Sequence, residues 1–579
     1  MANMDAQITK ADGQLFDPIA MEVFSNRLLS ITEDMGNRLV RASFSPNIKE
    51  RKDCSVAMFD RKGRLIAQAA HIPMHLGSLS GGVETVLGKY GIENVREGDA
   101  FICNDSYLAG GTHAPDITIV TPIFWGGVCR FFAANIGHHS DVGGTYPGSI
   151  SPTARTVFEE GIRIPLVRIV REGELDMGMM TLLAENSREP ADRIADLKVQ
   201  IAANDRGAQL MLELVRQLGI DAVQQSIEDI LSYTARRLRN RVAALKDGTG
   251  SHTAYLDDDG FGGDPVAIKA TLIVDGDNLT VDFAGSGPQC RGSYNMPESA
   301  MRASVYYVVK TMLDPELMAN EGMFDAISIK LPEGTITNPT FPAAVGMRSN
   351  TAQRVSASII GAFSHFLPRE RVMASSNDAM PAMVFSGRSR RRAGTYVYVE
   401  TIGGGAGARF GHDGADGTHV HITNSSNLPA EALENEYPLV VDEYSLITDS
   451  GGAGEWRGGM GIARQIRALD DETFCYASSE GTIIPADGVF GGGKGAVAHI
   501  IRDRGTAAEQ EIPANQPRLV LAPGQSVRVE TPGGGGFGPA ETRDVAAIAA
   551  DLRAGRVSPS AVRAAYGEAK AAQAEQMLL

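Results

Sequence analysis

The sequence predicts an α+β protein with mixed, largely antiparallel sheets, a central helical segment and glycine-rich loops. Short apolar runs broken by Gly, Pro and Asn fill residues 54–170 and 248–538, as in strands joined by turns. Glycine is scarce between residues 187 and 245, where apolar side chains recur at helical spacings of three and four. Elsewhere glycine is abundant, with 65 in 579 residues, and it concentrates in blocks between the apolar runs.

Residues 1–187 are predicted to form an α/β region that begins with one long helix. Asp17 and Pro18 suit the N-cap and first position of a helix, and an apolar face then continues to residue 42. Strands and loops follow up to about residue 170. Residues 188–247 are predicted to form two or three packed helices.

Residues 248–540 are predicted to form a glycine-rich, β-dominated region with helical insertions near residues 300–313 and 349–366. Residues 541–579 close the chain, and their sequence indicates two short helices joined by a Gly and a Pro. No fixed-period repeat is present.

The overall composition excludes several classes of protein. The formal net charge is −16, and the single basic run, residues 387–392, is short, so we expect no nucleic-acid binding. The five cysteines form no CxxC pair and are predicted to be reduced thiols. The N-terminus is polar and no run of about 18 apolar residues occurs, so we expect a cytoplasmic chain without a membrane span.

Two neighbouring segments concentrate polar residues among glycines. They are GGTHAPDITIV, residues 110–120, and NIGHHSDVGGTY, residues 135–146. Two apolar runs flank Gly126 and Gly127 between them, and this pattern predicts a hairpin with a two-residue turn. The polar segments therefore meet at one end of the sheet.

The hairpin places Asp116 opposite Gly137 or His138. A proline between His113 and Asp116 excludes a regular helical turn, so both side chains are expected on a bent loop that enters the first strand. Successive strand residues face opposite sides, so His138 and His139 cannot both join them unless the strand has ended or bulged. We favour His138.

Two imidazoles and one carboxylate suit Zn, Mn or Fe(II), and three protein ligands leave a position open for water or substrate. The alternative is that these side chains satisfy hydrogen bonds of the loop and the sheet edge. His139 and Asp141 are candidates for a supporting or substrate-side role. His71 and His75 form a second candidate pair, although a lone pair of this kind more often consists of hydrogen-bonded core or loop histidines.

Other segments give weaker indications of a functional site. Residues 488–495 nearly match a phosphate-binding loop, but a glycine replaces the final Ser or Thr and the following residues suggest a strand, so we reject an ATP site there. The glycine blocks at residues 400–417 and 530–540 suit tight turns and close strand packing, or an anion cradle. His419 and His421, at a predicted strand end, suit a pocket wall or a buried polar network.

Four motifs together resemble one protein family. They are residues 17–78, then NDSYLAGGTHAPD, NIGHHSDVGG and ETPGGGGFG. The chain resembles the hydantoinase B family, the beta subunits of ATP-dependent cyclic-amide hydrolases such as N-methylhydantoinase and caprolactamase. The family also includes the corresponding half of 5-oxoprolinase and related subunits of acetone and acetophenone carboxylases.

The resemblance implies a hydantoinase B-like fold and a division of labour between two subunits. A hydantoinase A-type partner, in a heterotetramer, would bind ATP and Mg and phosphorylate a small cyclic amide, and this chain would hydrolyse the activated ring. The family's metal ligands match His113, Asp116 and His138, with Zn expected and Mn or Fe as alternatives. Asp141 or His139 would be the catalytic proton-transfer residue.

The resemblance leaves several assignments open. A subunit of an ATP-dependent ketone carboxylase is the alternative function, and a scaffold without catalytic chemistry is a third. Asp53 and Asp105 lie in recurrent family motifs, but no role is carried over for either. The substrate-binding residues and the identity of the cyclic amide are not predicted.

Overall fold

The computed structural model describes residues 17–69, 71–75, 78–389, 394–514 and 516–578. The polar N-terminus up to residue 16 and the end of the basic run, residues 390–392, lie outside the described residues. The chain folds into two compact units. The first comprises Met1–His252 and Lys269–Arg348, and the second comprises Thr253–Ile268 and Ser349–Leu579.

The first unit is built on a seven-stranded sheet in which every pair of neighbouring strands is antiparallel. Its strands are β1 Cys54–Asp60, β2 Leu65–Gln68, β3 Ala100–Cys103, β4 Asp116–Trp125, β5 Val128–His138, β6 Val167–Arg171 and β7 Glu174–Leu175. Their order across the sheet is β2-β1-β5-β4-β3-β6-β7. The two longest strands, β4 and β5, are therefore central.

Helices cover this sheet. They are α1 Pro18–Ala42, α2 Pro46–Lys49, α3 Ser78–Tyr90, α4 Met177–Glu185, α5 Pro190–Leu218 and α6 Ile220–Ala243. The predicted first helix is confirmed at both ends, and Asp17 caps it by accepting hydrogen bonds from two backbone amides. The predicted central helical segment is confirmed as α5 and α6. Helix α3 was missed because Gly81 and Gly82 interrupt its pattern; Gly81 packs against the backbone of Gly110, which leaves no space for a side chain.

The main core of the first unit lies between the helices and the sheet. Apolar side chains of α1, α5 and α6 pack against those of β1, β2 and β5, including Leu28, Met35, Val56 and Phe131. Polar side chains also join α5 to the sheet, because Nδ2 of Asn204 donates to the carbonyl of a β4 residue at 3.0 Å. Helix α5 therefore holds the central hairpin from one face.

A smaller sheet has the order β11-β10-β9-β8. Its strands are β8 Gly248–Leu256, β9 Val266–Asp275, β10 Asn278–Asp282 and β11 Ile327–Lys330, and β10 and β11 are parallel. Residues 253–268, which include the end of β8 and the start of β9, belong to the second unit. Helices α7 Glu298–Leu313 and α8 Glu321–Phe324 belong to the first unit.

The second unit contains two antiparallel sheets. The four-stranded sheet has the order β13-β12-β16-β19, and the five-stranded sheet has the order β14-β15-β20-β17-β18. The strands are β12 Asn377–Arg388, β13 Thr395–Gly405, β14 Leu439–Leu446, β15 Ile462–Ala468, β16 Thr473–Ala477, β17 His499–Arg502, β18 Gln510–Glu511, β19 Gln516–Leu521 and β20 Ser526–Glu530. Apolar side chains of both sheets form one core. The predicted fold class, with largely antiparallel sheets, is thus confirmed.

Helices complete the second unit. They are α9 Arg348–Phe363, whose first residue belongs to the first unit, α10 Ala430–Glu436, α11 Val545–Arg553, α12 Pro559–Tyr566 and α13 Glu568–Gln576. The predicted helical insertions are confirmed as α7 and α9. The two short C-terminal helices are confirmed as α11 and α12, and α13 follows them after Gly567. Within the described residues, no helix is both long and apolar enough to span a membrane.

Glycine-rich segments pack backbone against backbone in the second unit. A β-carbon on Gly458 would overlap the carbonyl oxygen of Gly534, and one on Gly534 would overlap that of Ala406. Hydrogen bonds join the same segments, for example from Gly459 N to Ala406 O at 2.8 Å and from Gly536 N to Gly493 O at 2.9 Å. Close packing of extended backbone therefore accounts for the glycine blocks.

Three further expectations concern the residues after the glycine loop at 488–495, the cysteines, and the histidines at positions 419 and 421. The residues after the rejected phosphate-binding loop form strand β17, as predicted. The five cysteines are all buried and none is paired with another. The predicted strand around His419 and His421 is wrong, because residues 419–424 form an irregular loop in which His421 has a φ of 51°.

Candidate metal centre

The β4–β5 hairpin positions the predicted metal ligands. Gly126 and Gly127 form its turn with φ angles of 61° and 74°, which suit the tight turn that matches the strand twist. The register pairs Asp116, the first residue of β4, with His138, the last residue of β5. Of the two predicted partners of Asp116, the structure selects His138.

Three buried side chains converge at this end of the hairpin. Ligand atoms of His113, Asp116 and His138 all lie within 4.8 Å of one another. Nε2 of His113 is 3.5 Å from Oδ1 of Asp116, and the rings of His113 and His138 have centroids 5.0 Å apart. Among the described residues these three form the group of His, Cys, Asp and Glu side chains that could hold a metal ion.

Contacts outside the group orient the ring of His113. Nδ1 lies 3.3 Å from the carbonyl oxygen of Gly346, so a proton on Nδ1 is donated there and the lone pair of Nε2 is free. Nε2 is buried and has no hydrogen-bond partner within the described part of the chain. An imidazole held in this way suits a metal ligand.

The two carboxylate oxygens of Asp116 have different surroundings. Oδ2 accepts hydrogen bonds from Thr112 Oγ1 and from Nη2 of Arg348, the latter at 2.7 Å. The same nitrogen of Arg348 donates to Thr112 Oγ1 at 2.8 Å. Oδ1 is buried, lacks a hydrogen-bond partner among the described residues and faces His113. One oxygen is thus fixed by the protein and the other is available to a ligand.

Burial and neighbouring charges set the protonation states. Burial lowers the pKa of His113 to about 3, and the positive charge of Arg348 acts in the same direction. Burial also lowers the pKa of His138 to about 3. Burial raises the pKa of Asp116, but His113, Arg348 and His75 outweigh it and hold that pKa well below its usual value. At neutral pH the group is therefore two neutral imidazoles and one carboxylate, the forms that bind a cation.

The adjacent histidines of the second segment face different neighbours. The ring of His138 lies 3.3 Å from the side-chain amide of Asn47, measured from Nδ1 to Nδ2. The ring of His139 instead hydrogen-bonds Oε1 of Gln200 on α5 at 2.9 Å through Nε2. The alternation of strand side chains thus separates the two rings, as expected.

Asp141, the other predicted catalytic candidate, is fully buried and densely hydrogen-bonded. Its Oδ1 accepts from the backbone amides of Gly143 and Arg188, at 3.0 and 2.9 Å. Its Oδ2 accepts from Gly148 N at 3.0 Å and from Nη1 of Arg188 at 2.8 Å. These contacts tie the loop after β5 to the segment before α5.

His71 and His75, the second candidate pair, lie in different surroundings. His75 lies beside the group, with its Nε2 3.6 Å from Oδ2 of Asp116 and its Nδ1 hydrogen-bonded to Ser55 Oγ at 2.9 Å. His71 packs over Gly36 of α1, where a β-carbon would overlap its ring. His75 is therefore a neighbour of the group and His71 packs elsewhere.

The two aspartates of the family motifs have structural contacts. The carbonyl oxygen of Asp53 accepts from His138 N at 3.0 Å, and burial raises the pKa of the Asp53 carboxyl. Asp105 caps the turn after it by accepting from the backbone amides of residues 107 and 108, and it pairs with Arg163. Asp53 thus supports the end of β5.

Sequence reasoning missed Arg348 and Thr112. Arg348 lies 232 positions from Asp116, and no spacing or motif links the two. Thr112 directly precedes His113 in the polar segment, and this position was the only feature of the local sequence that could have suggested a role for Thr112 in the site. Long-range folding alone brings a buried guanidinium to the carboxylate.

Comparisons with known proteins give a consistent family. The family model Hydantoinase B/oxoprolinase matches residues 17–540. An uncharacterized protein of Methanocaldococcus jannaschii is 37% identical over 96% of each chain. A 5-oxoprolinase of Dictyostelium discoideum is 34% identical over 90% of this chain, which spans 40% of that enzyme's length. The B-type subunit of a putative D-/L-hydantoinase from a Pseudomonas species is 29% identical over 96% of each chain.

Two solved structures share the fold. The ATP-dependent caprolactamase of Pseudomonas jessenii matches with a TM-score of 0.89 and 30% identity, over 95% of this chain and 96% of that one. A nucleotide-free acetone carboxylase matches with a TM-score of 0.87 and 20% identity, over 97% of this chain and 83% of that one. Sequence and fold agree, and the chain belongs to the Hydantoinase B/oxoprolinase family.

Proposed function

We propose that this chain is the beta-type subunit of an ATP-dependent cyclic-amide hydrolase of the hydantoinase, lactamase or oxoprolinase type. The observation that carries the proposal is the buried group of His113, Asp116 and His138, with ligand atoms within 4.8 Å of one another. Similarity to the B-type component of a putative hydantoinase and to an ATP-dependent caprolactamase, each over nearly the whole chain, supports it. The proposal assigns ATP and Mg to an A-type partner in a cytoplasmic heterotetramer.

The three side chains fit a divalent cation. His113 Nε2 and Asp116 Oδ1 are buried without hydrogen-bond partners in the described chain and face each other across 3.5 Å. Two neutral imidazoles and one carboxylate suit Zn, with Mn or Fe as alternatives. When bound, such an ion supplies Lewis acidity that makes water a usable nucleophile near pH 7.

The reaction consumes two waters for each ATP. The partner transfers a phosphoryl group to the carbonyl oxygen of the ring amide. One water adds to that carbon, the ring C–N bond breaks and the nitrogen leaves as an amine after accepting a proton. A second water displaces phosphate from the resulting acyl phosphate. In this chain, Arg348 and Thr112 would hold Asp116 in place during these steps.

For proton transfer we favour His139 over Asp141, with the proton passing through a water, because the His139 ring bonds Gln200 on α5 and does not face the three ligands. Both oxygens of Asp141 are already occupied by backbone amides and by Arg188, whereas Nδ1 of His139 has no hydrogen-bond partner in the described chain. Replacing His139 by Gln should lower kcat with little loss of stability. Replacing Asp141 by Asn should mainly lower the melting temperature, because it weakens its bond to Arg188.

The decisive experiment uses this chain produced together with an A-type subunit. ATP turnover and ring opening are measured on a panel of hydantoins, lactams and 5-oxoproline, and on ketones, each with and without bicarbonate. We expect ring opening without bicarbonate. His113→Ala or His138→Ala should remove bound metal and lower ring opening by at least about 100-fold.

His412→Ala, in an exposed loop, is the matched control and should leave both quantities unchanged. If the site variants keep both metal and ring opening, the proposal is wrong. Bicarbonate-dependent turnover of a ketone would instead identify a carboxylase. If the A-type subunit alone opens the ring at the rate of the complex, this chain acts as a scaffold without catalytic chemistry.

A further inference from the structure

A second cluster of buried polar side chains lies within the second unit. Arg354 on α9 is 4% exposed, and Asn377 at the start of β12 is 1% exposed. Nε and Nη2 of Arg354 and both amide atoms of Asn377 have no hydrogen-bond partner among the described residues. Buried donors are rarely left in this state, so the cluster has the character of a binding site.

The side chains of Arg354 and Asn377 meet beside Gly481. A β-carbon placed on Gly481 would lie 2.5 Å from Nδ2 of Asn377 and 3.5 Å from Nη2 of Arg354. A β-carbon there would also lie 3.2 Å from Cγ of Pro532, so the missing side chain of Gly481, whose φ is 78°, lets the Asn377 amide and the Arg354 guanidinium approach its backbone. Burial lowers the pKa of His421 to about 4, and the charge of Arg354 acts in the same direction. The buried Nε2 of His421 also lacks a partner in the described chain.

The nearby carboxyl groups do not hydrogen-bond the unpartnered nitrogens of Arg354 and Asn377. Asp378 is held by other groups: its Oδ1 accepts from Gln353 Nε2 at 3.0 Å, and its Oδ2 accepts from the hydroxyl of Thr423 at 3.1 Å. His419 lies against it, with Nδ1 3.6 Å from Oδ2.

Glu480 is the carboxyl group of the cluster that interacts electrostatically with Arg354. It accepts from the backbone amide of Asp257 at 3.1 Å. Burial raises the pKa of Glu480 to about 8, so at neutral pH it is largely protonated. It therefore does little to neutralise the guanidinium of Arg354.

We propose that Arg354 and Asn377 form an oxyanion-binding site. Nε and Nη2 define one edge of a guanidinium, and two parallel N–H groups on that edge match two oxygens of a carboxylate or a phosphate. Nδ2 of Asn377 supplies a further donor from the β12 side. The shared feature of the ligand is a negatively charged group that presents two oxygens. This inference is independent of the proposed function.

The test is calorimetric titration of the purified full chain in a buffer free of phosphate and carboxylates. Inorganic phosphate is the probe in one arm and propionate in the other, and the arms identify which oxyanion binds. We expect saturable binding of at least one of them. Arg354→Gln should weaken that binding about tenfold or more, because the bidentate charged pair is lost.

Asn377→Asp is the second variant and keeps nearly the same side-chain volume. It places a carboxylate beside the guanidinium and should abolish binding even if Arg354→Gln fails to fold. Arg518→Gln, at an exposed arginine of the same unit, is the control and should bind as the wild type does. Absence of saturable binding of both probes by the wild-type chain, or unchanged binding by Asn377→Asp, would overturn the inference.

Discussion

At the scale of single residues, the contacts of Asp116 show how the protein holds one of the proposed metal ligands. Thr112 and Arg348 hold its Oδ2, while Oδ1 stays unpartnered among the described residues and faces His113. The guanidinium and hydroxyl fix the plane of the carboxylate, so little rotational freedom remains to be lost on binding. The available oxygen and the ring nitrogen are therefore presented together.

Thr112→Val tests this arrangement with little change of volume. The methyl group replaces the hydroxyl that bonds Asp116 and Arg348, so the carboxylate loses one fixing contact. We expect metal affinity to fall about 10- to 100-fold, measured by competition with a chelator. Thr311→Val, at an exposed helical threonine whose hydroxyl bonds the backbone at 2.8 Å, should leave that affinity unchanged. Equal affinity in both variants would contradict the assigned role.

Glu160 supports the site through the loop before α9. Its Oε1 accepts from the backbone amides of Val345 and Gly346, at 2.8 and 2.6 Å, and the carbonyl of Gly346 then faces Nδ1 of His113. Burial raises the pKa of Glu160 to about 8. The folded state therefore favours the protonated side chain.

The raised pKa of Glu160 predicts a pH-dependent stability. Between about pH 4.5 and 8 the folded chain keeps a proton that the unfolded chain releases, so the contribution present below pH 4.5 is lost as pH rises to 8. The slope from this group approaches about 1.4 kcal/mol per pH unit. Glu160→Gln keeps the acceptor oxygen and removes the titration. Its stability relative to wild type should rise with pH in denaturant unfolding, and a constant difference would refute the assignment.

At the scale of elements, the β4–β5 hairpin carries the functional geometry. Its turn and register bring Asp116 beside His138, and the alternation of its side chains sends His139 to α5. These features were predictable from the sequence because turn chemistry and strand period are local properties. Helix α3 was not predictable, because Gly81 and Gly82 in its interior are explained by contacts with distant residues: the backbone of Gly110 and the side chains of Thr118 and Val120.

Substitutions in the hairpin turn test this local control. Gly126 has a φ of 61° and open space around it, so only backbone strain opposes a side chain there. Gly126→Ala should destabilise the protein by about 1 kcal/mol, whereas Gly126→Asn should cost less, because Asn adopts this conformation more readily. Thermal unfolding of the two variants checks the order. A Gly126→Ala variant that is more stable than Gly126→Asn would be inconsistent with the assigned turn.

At the scale of the whole molecule, the two units are stabilised in different ways. The first buries apolar side chains between helices and one large sheet. The second adds a layer of glycine segments whose backbones touch and hydrogen-bond one another, so many of its glycines leave no volume for a side chain. Backbone hydrogen bonds and dispersion contacts replace side-chain packing there.

Two identical changes in different surroundings test this difference. Gly534→Ala would push a methyl group into the carbonyl of Ala406 and should cost about 3 kcal/mol or more, with loss of folded protein. Gly88→Ala lies in α3 with open space around it and should be neutral or gain up to about 1 kcal/mol. Soluble yield and melting temperature measure both effects. Tolerance of Gly534→Ala would argue against backbone packing as the reason for the glycines.

By itself, the sequence determined the fold class, the first helix, the central helices, the hairpin and the candidate ligands His113, Asp116 and His138. Each depends on local propensity, on periodicity or on a motif of contiguous residues. Only the tertiary structure brought Arg348 to Asp116 and Gly346 to His113, and gathered Arg354 and Asn377 around Gly481. Those contacts join residues that are far apart in the sequence. Which distant groups meet is decided by the folding of the whole chain, and no short sequence pattern encodes it.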